Sequence, residues 1–182
     1  PPSAGVDVEP WTDNLATVNL YFFDCTFANN GGGALGFATA TRDPVLCLVK
    51  RCKFLPTPGA QFFICARPTH YIEADRKPLS NIILEDCEFN STHSTIKFEP
   101  CPIYNVTLRN CVIRDARSEA KKRLTAFGPP VIRLALNRNF GKPDLSDNLR
   151  PKVVFDNVRI EGFENSEPLG VSDEIGMLNI SK

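Results

Sequence analysis

The chain has 182 residues, 42% of them hydrophobic and 23% charged, with 21 basic and 21 acidic side chains and a sequence pI near 7.1. That balance offers no long-range field to a nucleic acid or an anionic membrane, so neither is expected as a partner. No apolar run reaches the roughly 20 residues that cross a bilayer, and Pro1 to Pro10 carries Asp7 and Glu9 without a basic stretch, so it does not read as a signal peptide.

The first alternating segment is GVDVEP at 5–10, with Val6 and Val8 in one phase and Asp7 and Glu9 in the other. A phrase then begins that recurs through the chain: NLYFFDCTF at 19–27, LCLVKRCKF at 46–54, NIILEDCEF at 81–89, NVTLRNCVI at 105–113 and KVVFDNVRI at 152–160. In NIILEDCEF, Ile82 and Leu84 alternate inward, Asp86 makes a bend, and Cys87 and Phe89 point inward on a second short strand. The other copies supply Leu20, Phe22, Cys25 and Phe27; Cys47, Val49, Cys52 and Phe54; Val106, Leu108, Cys111 and Ile113; and Val153, Phe155, Val158 and Ile160. Each phrase is followed by a loop and a short alternating segment: ALGFATA at 34–40, QFFICA at 61–66, STIKFEP at 94–100, VIRLALN at 131–137 and GMLNIS at 176–181.

This order gives three short strands per coil, too few residues for a βαβ unit, and no segment carries a 3.6-residue period. It predicts an all-β solenoid over 1–182, a single-stranded parallel β-helix of about five coils whose strands stack at ~4.8 Å, for a stack of roughly 24 Å. The steps Cys25 to Cys52, Cys52 to Cys87 and Cys87 to Cys111 are 27, 35 and 24 residues, and Cys111 to Val158 is 47. The excess over the shortest step places loop insertions at 67–80, 114–128 and 137–151, and long loops on a solenoid gather on one face. The chain enters on GVDVEP and leaves after MLNIS in mid-coil, with no capping helix. It is therefore expected to be a fragment of a longer β-helix, or to be capped by remaining coils or by another subunit.

Cys25, Cys52, Cys87 and Cys111 share one inward position, so they predict a column of buried free thiols acting as small hydrophobes. In-register parallel neighbours do not offer disulfide geometry. With no CxxC pair and no converging ligand set, no metal site and no cofactor are expected, and calcium has no support in the sequence.

The pattern NIxLxxCxF, with Asn or Asp at the bend before an inward Cys, resembles the right-handed parallel β-helix of the pectate lyase and polygalacturonase superfamily, which also includes many phage tailspikes. The resemblance covers nearly the whole chain and specifies a scaffold more than a reaction. It implies a groove on the outer face of the strand that reads GVDVEP and STIKFEP here. The signatures NTD, DD, GHG and RIK of the polygalacturonases are missing, so pectin hydrolysis is not implied.

On that face one outward row is Asp7, Gly36, Phe63, Lys97, Arg133 and Asn179, and its neighbour is Glu9, Ala38, Cys65, Glu99 and Ala135. Asp7 and Glu9, about 7 Å apart along the backbone, are candidate carboxylates for protonating a leaving group and activating water. Lys97 and Arg133 on successive coils, with Glu99 beside them, could neutralise a uronic-acid carboxylate and acidify the carbon next to it. Lys97 or a loop residue would be the base of a β-elimination. His93 precedes that strand, and His70 and Tyr71 follow its neighbour. Trp11 and Tyr104 follow the two EP turns, and with Phe63 they are candidate rings for pyranose faces. Outward charges also serve solubility and block edge pairing. Asn90, Asn105 and Asn179 begin N-x-S/T triplets.

Two functions follow as expectations. One is a polysaccharide-processing protein, a lyase or glycoside hydrolase acting on an acidic polysaccharide in the outer groove. The other is a non-catalytic carbohydrate-binding or structural module of a phage tailspike or surface protein. Either implies an extracellular, cell-surface or virion location, and a tailspike would imply a homotrimer.

Overall fold

The structure, a computed structural model, describes residues 4–8, 19–39, 46–58, 61–66, 80–92, 95–98, 104–118, 132–134, 152–162, 171–173 and 179–181. Among these residues the regular structure is all strand, without a helix. The strands run in sets of three. The first set is β1 (Ala4–Val8), β2 (Leu20–Phe23) and β3 (Thr26–Phe27), and the second is β4 (Gly33–Thr39), β5 (Leu46–Lys50) and β6 (Lys53–Phe54). The third is β7 (Phe62–Ala66), β8 (Ser80–Glu85) and β9 (Glu88–Ser91), and the fourth is β10 (Ile96–Phe98), β11 (Tyr104–Arg109) and β12 (Val112–Asp115). The fifth is β13 (Ile132–Leu134), β14 (Lys152–Asp156) and β15 (Arg159–Glu161), after which β16 (Val171–Asp173) and β17 (Asn179–Ser181) begin another.

Each set gives one strand to each of three sheets. The first sheet runs β1-β4-β7-β10-β13-β16, the second β17-β14-β11-β8-β5-β2 and the third β15-β12-β9-β6-β3. The strand pairs in all three are parallel. At the coarse level this is a β-solenoid: an all-β stack in which each coil packs on the coils before and after it.

Three expected boundaries move. Residues 176–181 were expected in the first sheet, with Asn179 in the row of Asp7 and Lys97. Instead Val171–Asp173 pairs with β13, while Asn179–Ser181 pairs with β14 in the second sheet, Asn179 opposite Lys152. The reason is visible in register: Asn179-Ile180 repeats the Asn81-Ile82 and Asn105-Val106 openings of earlier phrases, so it starts a further copy. Val171–Asp173 has a single apolar residue, too little alternation to read as a strand. Ser80, placed in the loop 67–80, opens β8, and Arg114 and Asp115, placed in the loop 114–128, close β12. Both are held by ladder partners on adjoining coils, Ser80 by Tyr104 and Arg114 by Asn90 and Glu161. The remainder of these two loops from 67–79 and 119–128, and the insertion 137–151, lie outside the described residues.

The inward residues of the phrases build the core. Cys47, Val49, Ile82, Leu84, Val106, Leu108, Val153 and Phe155 are buried from the second sheet, and Phe27, Phe54, Phe89 and Ile113 from the third. Leu35, Phe62 and Ile96 close it from the first. Phe27, Phe54 and Phe89 stack face to face down the axis, with ring centroids 4.7 and 4.5 Å apart. Each ring is held by dispersion and apolar burial against the coil beside it.

The bend between second and third sheets is made by a single residue with positive φ in each copy: Asp24, Arg51, Asp86, Asn110 and Asn157, with φ of 57°, 53°, 54°, 51° and 53°. Asp and Asn tolerate this left-handed region because their short polar groups bond locally, whereas Arg carries a larger steric cost there. Arg51 is offset by its guanidinium, whose Nε and Nη2 each donate to Asp24 at 2.7 Å. Farther along, Asn110 donates to Asp86 at 3.1 Å and Asn157 to Asn110 at 2.9 Å. The bends thus form their own ladder, fixing which coil lies over which.

Directly after the bend stand the cysteines. Cys52, Cys87 and Cys111 are buried and Cys25, at the end of the row, is partly so, and all four are free thiols. Each buried thiol lies against the carbonyl two residues before it and a carbonyl of the preceding coil: Lys50 and Phe22 for Cys52, Glu85 and Val49 for Cys87, Arg109 and Leu84 for Cys111. Burial pushes the Cys47 thiol up to about 12 and the Cys52 thiol up to about 11, from an ordinary value of 9.0. The hydrogen bond with Cys111, and then burial, raise Cys87 as well.

These thiols hold their protons in the folded chain but ionise above pH ~9 once unfolded, so their contribution is complete below that pH and is lost as pH rises toward 11 to 12. The urea midpoint should therefore drop between about pH 8 and pH 10.5, and Cys47→Val should reduce the drop. Valine fits because Val106 and Val153 occupy the same register position. An equal drop in the variant would show that Cys47 is not responsible.

Candidate functional site

The outer face of the first sheet carries the row expected from the sequence, up to its last member. Asp7 lies opposite Gly36, Gly36 opposite Phe63, Phe63 opposite Lys97, and Lys97 opposite Arg133. Beyond Arg133 the row ends on Ser172 in place of Asn179. Asp7 and Arg133 are exposed and Lys97 is half-buried, while Gly36 is buried and gives the row only backbone at its coil. In the second expected row, Ala38 lies opposite Cys65.

Parallel strands lie ~4.8 Å apart, which puts Lys97 and Arg133 one strand step apart at the backbone and Asp7 three steps, ~14 Å, from Lys97. Two cations are therefore brought together, and the carboxylate of Asp7 is not brought to them. Phe63 sits between in sequence of coils, directly beside Lys97 in register. Tyr104 heads β11 opposite Ser80, in the second sheet rather than on this face. Glu9, Trp11, His70, Tyr71, His93 and Glu99 lie outside the described residues.

The strand that carries Lys97 is anchored at its base by a buried polar corner. Gln61, just before β7, donates through Nε2 to the carbonyls of Phe54, Leu55 and Asn90 at 3.3, 3.1 and 2.7 Å, and its Oε1 accepts from Ser91 Oγ at 2.9 Å. Ser91 Oγ also meets Thr95 Oγ1 at 2.8 Å, one residue before β10 begins. Gln61, Ser91 and Thr95 are all buried, so each of these bonds matters because water cannot replace it. The corner fixes where Phe63 and Lys97 leave the turn.

One position further round the stack, the same inward register holds a charge. Asp115 is opposite Ser91, its side chain is 0% exposed, and Arg117 at 9% closes on it with Nη2 to Oδ2 at 2.6 Å and Nε to the two oxygens at 2.9 and 3.0 Å. Gly162 lies over Asp115 with φ of 80°, which favours glycine, and a Cβ there would come 3.2 Å from Asp115 Cβ, close enough that Asp115 would have to give way by a few tenths of an ångström.

Sequence reading passed over three features: this ion pair, the polar corner, and the outer face of the second sheet. Alternation from Ile113 puts Asp115 inward, and alternation from Leu20 and Phe22 puts Tyr21 and Phe23 outward, so both signals were present in phase alone. The Gln61 corner has no such signal, since its partners are carbonyls of other coils. Among the described residues no group of three or more His, Cys, Asp or Glu side chains is placed to hold a metal ion, and no helix is long and apolar enough to cross a membrane. No protein-family model, curated protein or solved structure matches the chain.

Proposed function

We propose that the stack is a right-handed parallel β-helix of the pectate lyase-like superfamily, and that the outer face of its first sheet takes an acidic polysaccharide as a lyase. The observation that carries this reading is the register of Lys97 beside Arg133, next to Phe63. Adjacent cations neutralise the carboxylate of a uronic acid and so acidify the neighbouring carbon. Removal of that proton expels the glycosidic oxygen and leaves an unsaturated product; both cations hold the carboxylate if a loop residue is the base, and Arg133 alone holds it if neutral Lys97 is. Elimination suits the adjacent cations, and Asp7, ~14 Å from Lys97 along the stack, takes no part at the same bond. That separation also supports a second reading, a non-catalytic module, since binding along a row needs no convergence on one bond. A polymer of this kind implies an extracellular, cell-surface or virion setting.

The test is incubation with polygalacturonate and alginate, reading unsaturated ends by ultraviolet absorbance and reducing ends by colour. Product should form, and Lys97→Ala or Arg133→Ala should lower its rate by about 100-fold or more. Binding without product would establish the module instead, and failure to bind either polymer would overturn both readings.

A further inference from the structure

We infer that the outer face of the second sheet carries a separate site for a neutral polysaccharide, built on Tyr21 and Phe23. The inference rests on the proposed function only for the class of ligand.

Phe27, Phe54, Phe62, Phe89 and Phe155 are all buried, but Tyr21 is 52% and Phe23 46% exposed. These two alternate outward on β2, which β5 fixes in register with Leu48 opposite Tyr21 and Lys50 opposite Phe23. Their rings stand near-parallel, 14° between planes and 6.2 Å between centroids. Aromatic side chains have few torsions to lose on binding, and a flat apolar surface with a polar edge suits the amphipathic face of a pyranose.

The surroundings select the ligand's charge. From Tyr21 the outward row continues into half-buried Leu48 and Ile83, and one row over, Asn105 Nδ2 donates to Asn81 Oδ1 at 3.4 Å, an amide edge suited to hydroxyl groups. On the other side Lys50 is paired with Glu85 at 2.6 Å and Arg109 with Asp156 at 2.7 Å. That row sums to zero charge, and the cation of the amide row, Lys152, lies beyond Asn105 on β14, four strands from Tyr21. Size argues against a protein occupant. Two aromatic side chains bury at most about 150–250 Å² each, and about half of that is already covered, whereas a specific protein partner needs roughly 800 Å² per side.

The experiment is titration calorimetry of the chain with cellohexaose, xylohexaose and mannohexaose, beside polygalacturonate. At least one neutral hexasaccharide should bind, about tenfold more weakly to Tyr21→Ala and to Phe23→Ala. Tyr21→Phe and Phe23→Tyr, which keep the rings, should retain binding, and polygalacturonate binding should be unchanged in all four variants. Neutral sugars that fail to bind, or that bind the alanine variants equally well, would overturn the inference. So would a dimer in sedimentation that Tyr21→Ala converts to monomer, because the rings would then be an interface. A parent chain that binds a neutral hexasaccharide but neither polygalacturonate nor alginate would sink the proposed lyase and leave this site standing.

Discussion

Phe54→Ala should lower the unfolding free energy by about 3–5 kcal/mol, measured as a fall in the urea midpoint followed by circular dichroism. The ring is 0% exposed and lies between Phe27 and Phe89, so its removal opens a cavity that neither neighbour can fill without leaving its own stack. The carbonyl of the same residue also accepts from Gln61, which ties the cavity to the polar corner beneath Lys97. Phe27→Ala should cost less, because Phe27 is 8% exposed and stacks on a single phenylalanine of the column. Since coils hold one another pairwise, Phe54→Ala should also broaden the transition as the stack loses cooperativity at that level. A loss of less than about 1 kcal/mol would mean that the aromatic column relaxes freely, against the close packing of interiors.

Asp115→Ala should be comparably damaging, at about 3–5 kcal/mol, because it takes the carboxylate at 2.6 Å away from a guanidinium that is almost wholly buried. The informative comparison is the double replacement of Asp115→Leu with Arg117→Met, which removes both charges and should cost less than the single change. If the double variant is the less stable of the two, the pair contributes net attraction beyond its desolvation, and its cost has been misjudged. Both unfolding curves are read in the same buffer, so the comparison does not depend on an absolute value. Neither residue lies on the first sheet, and polysaccharide binding in the folded fraction should be unaffected.

Much of the architecture was legible because β-structure writes itself in period two. The inward sets of the five phrases, the single-residue bend before Cys25, Cys52, Cys87 and Cys111, and the row from Asp7 to Arg133 all follow from alternation and a constant register. Reading failed where alternation is short. Val171–Asp173 has one apolar residue, and Asn179 opens a further copy of the phrase in the second sheet where alternation suggests a strand of the first. The candidate site was legible as a row but not as a geometry: chain order gives no sense that Asp7 and Lys97 are three coils apart, and register does. The Gln61 corner was out of reach for another reason, and so was the partner of Asp115, although phase alone turns Asp115 inward. Their partners are backbone carbonyls and a residue two places on, and neither leaves a periodic trace.

Successive coils adhere by two kinds of joint. Toward β2 and β3 the core joints are stacked phenylalanines and after Phe89 isoleucine takes over that position, while cross-coil ion pairs recur along the whole stack, Asp24–Arg51 at 2.7 Å, Lys50–Glu85 at 2.6 Å, Arg109–Asp156 at 2.7 Å and Arg114–Glu161 at 2.8 Å. Apolar joints weaken on cooling and tighten with salting-out ions, whereas half-exposed ion pairs loosen as ionic strength rises. Both kinds of joint recur along the stack, so cold and salt each loosen one of them without singling out an end.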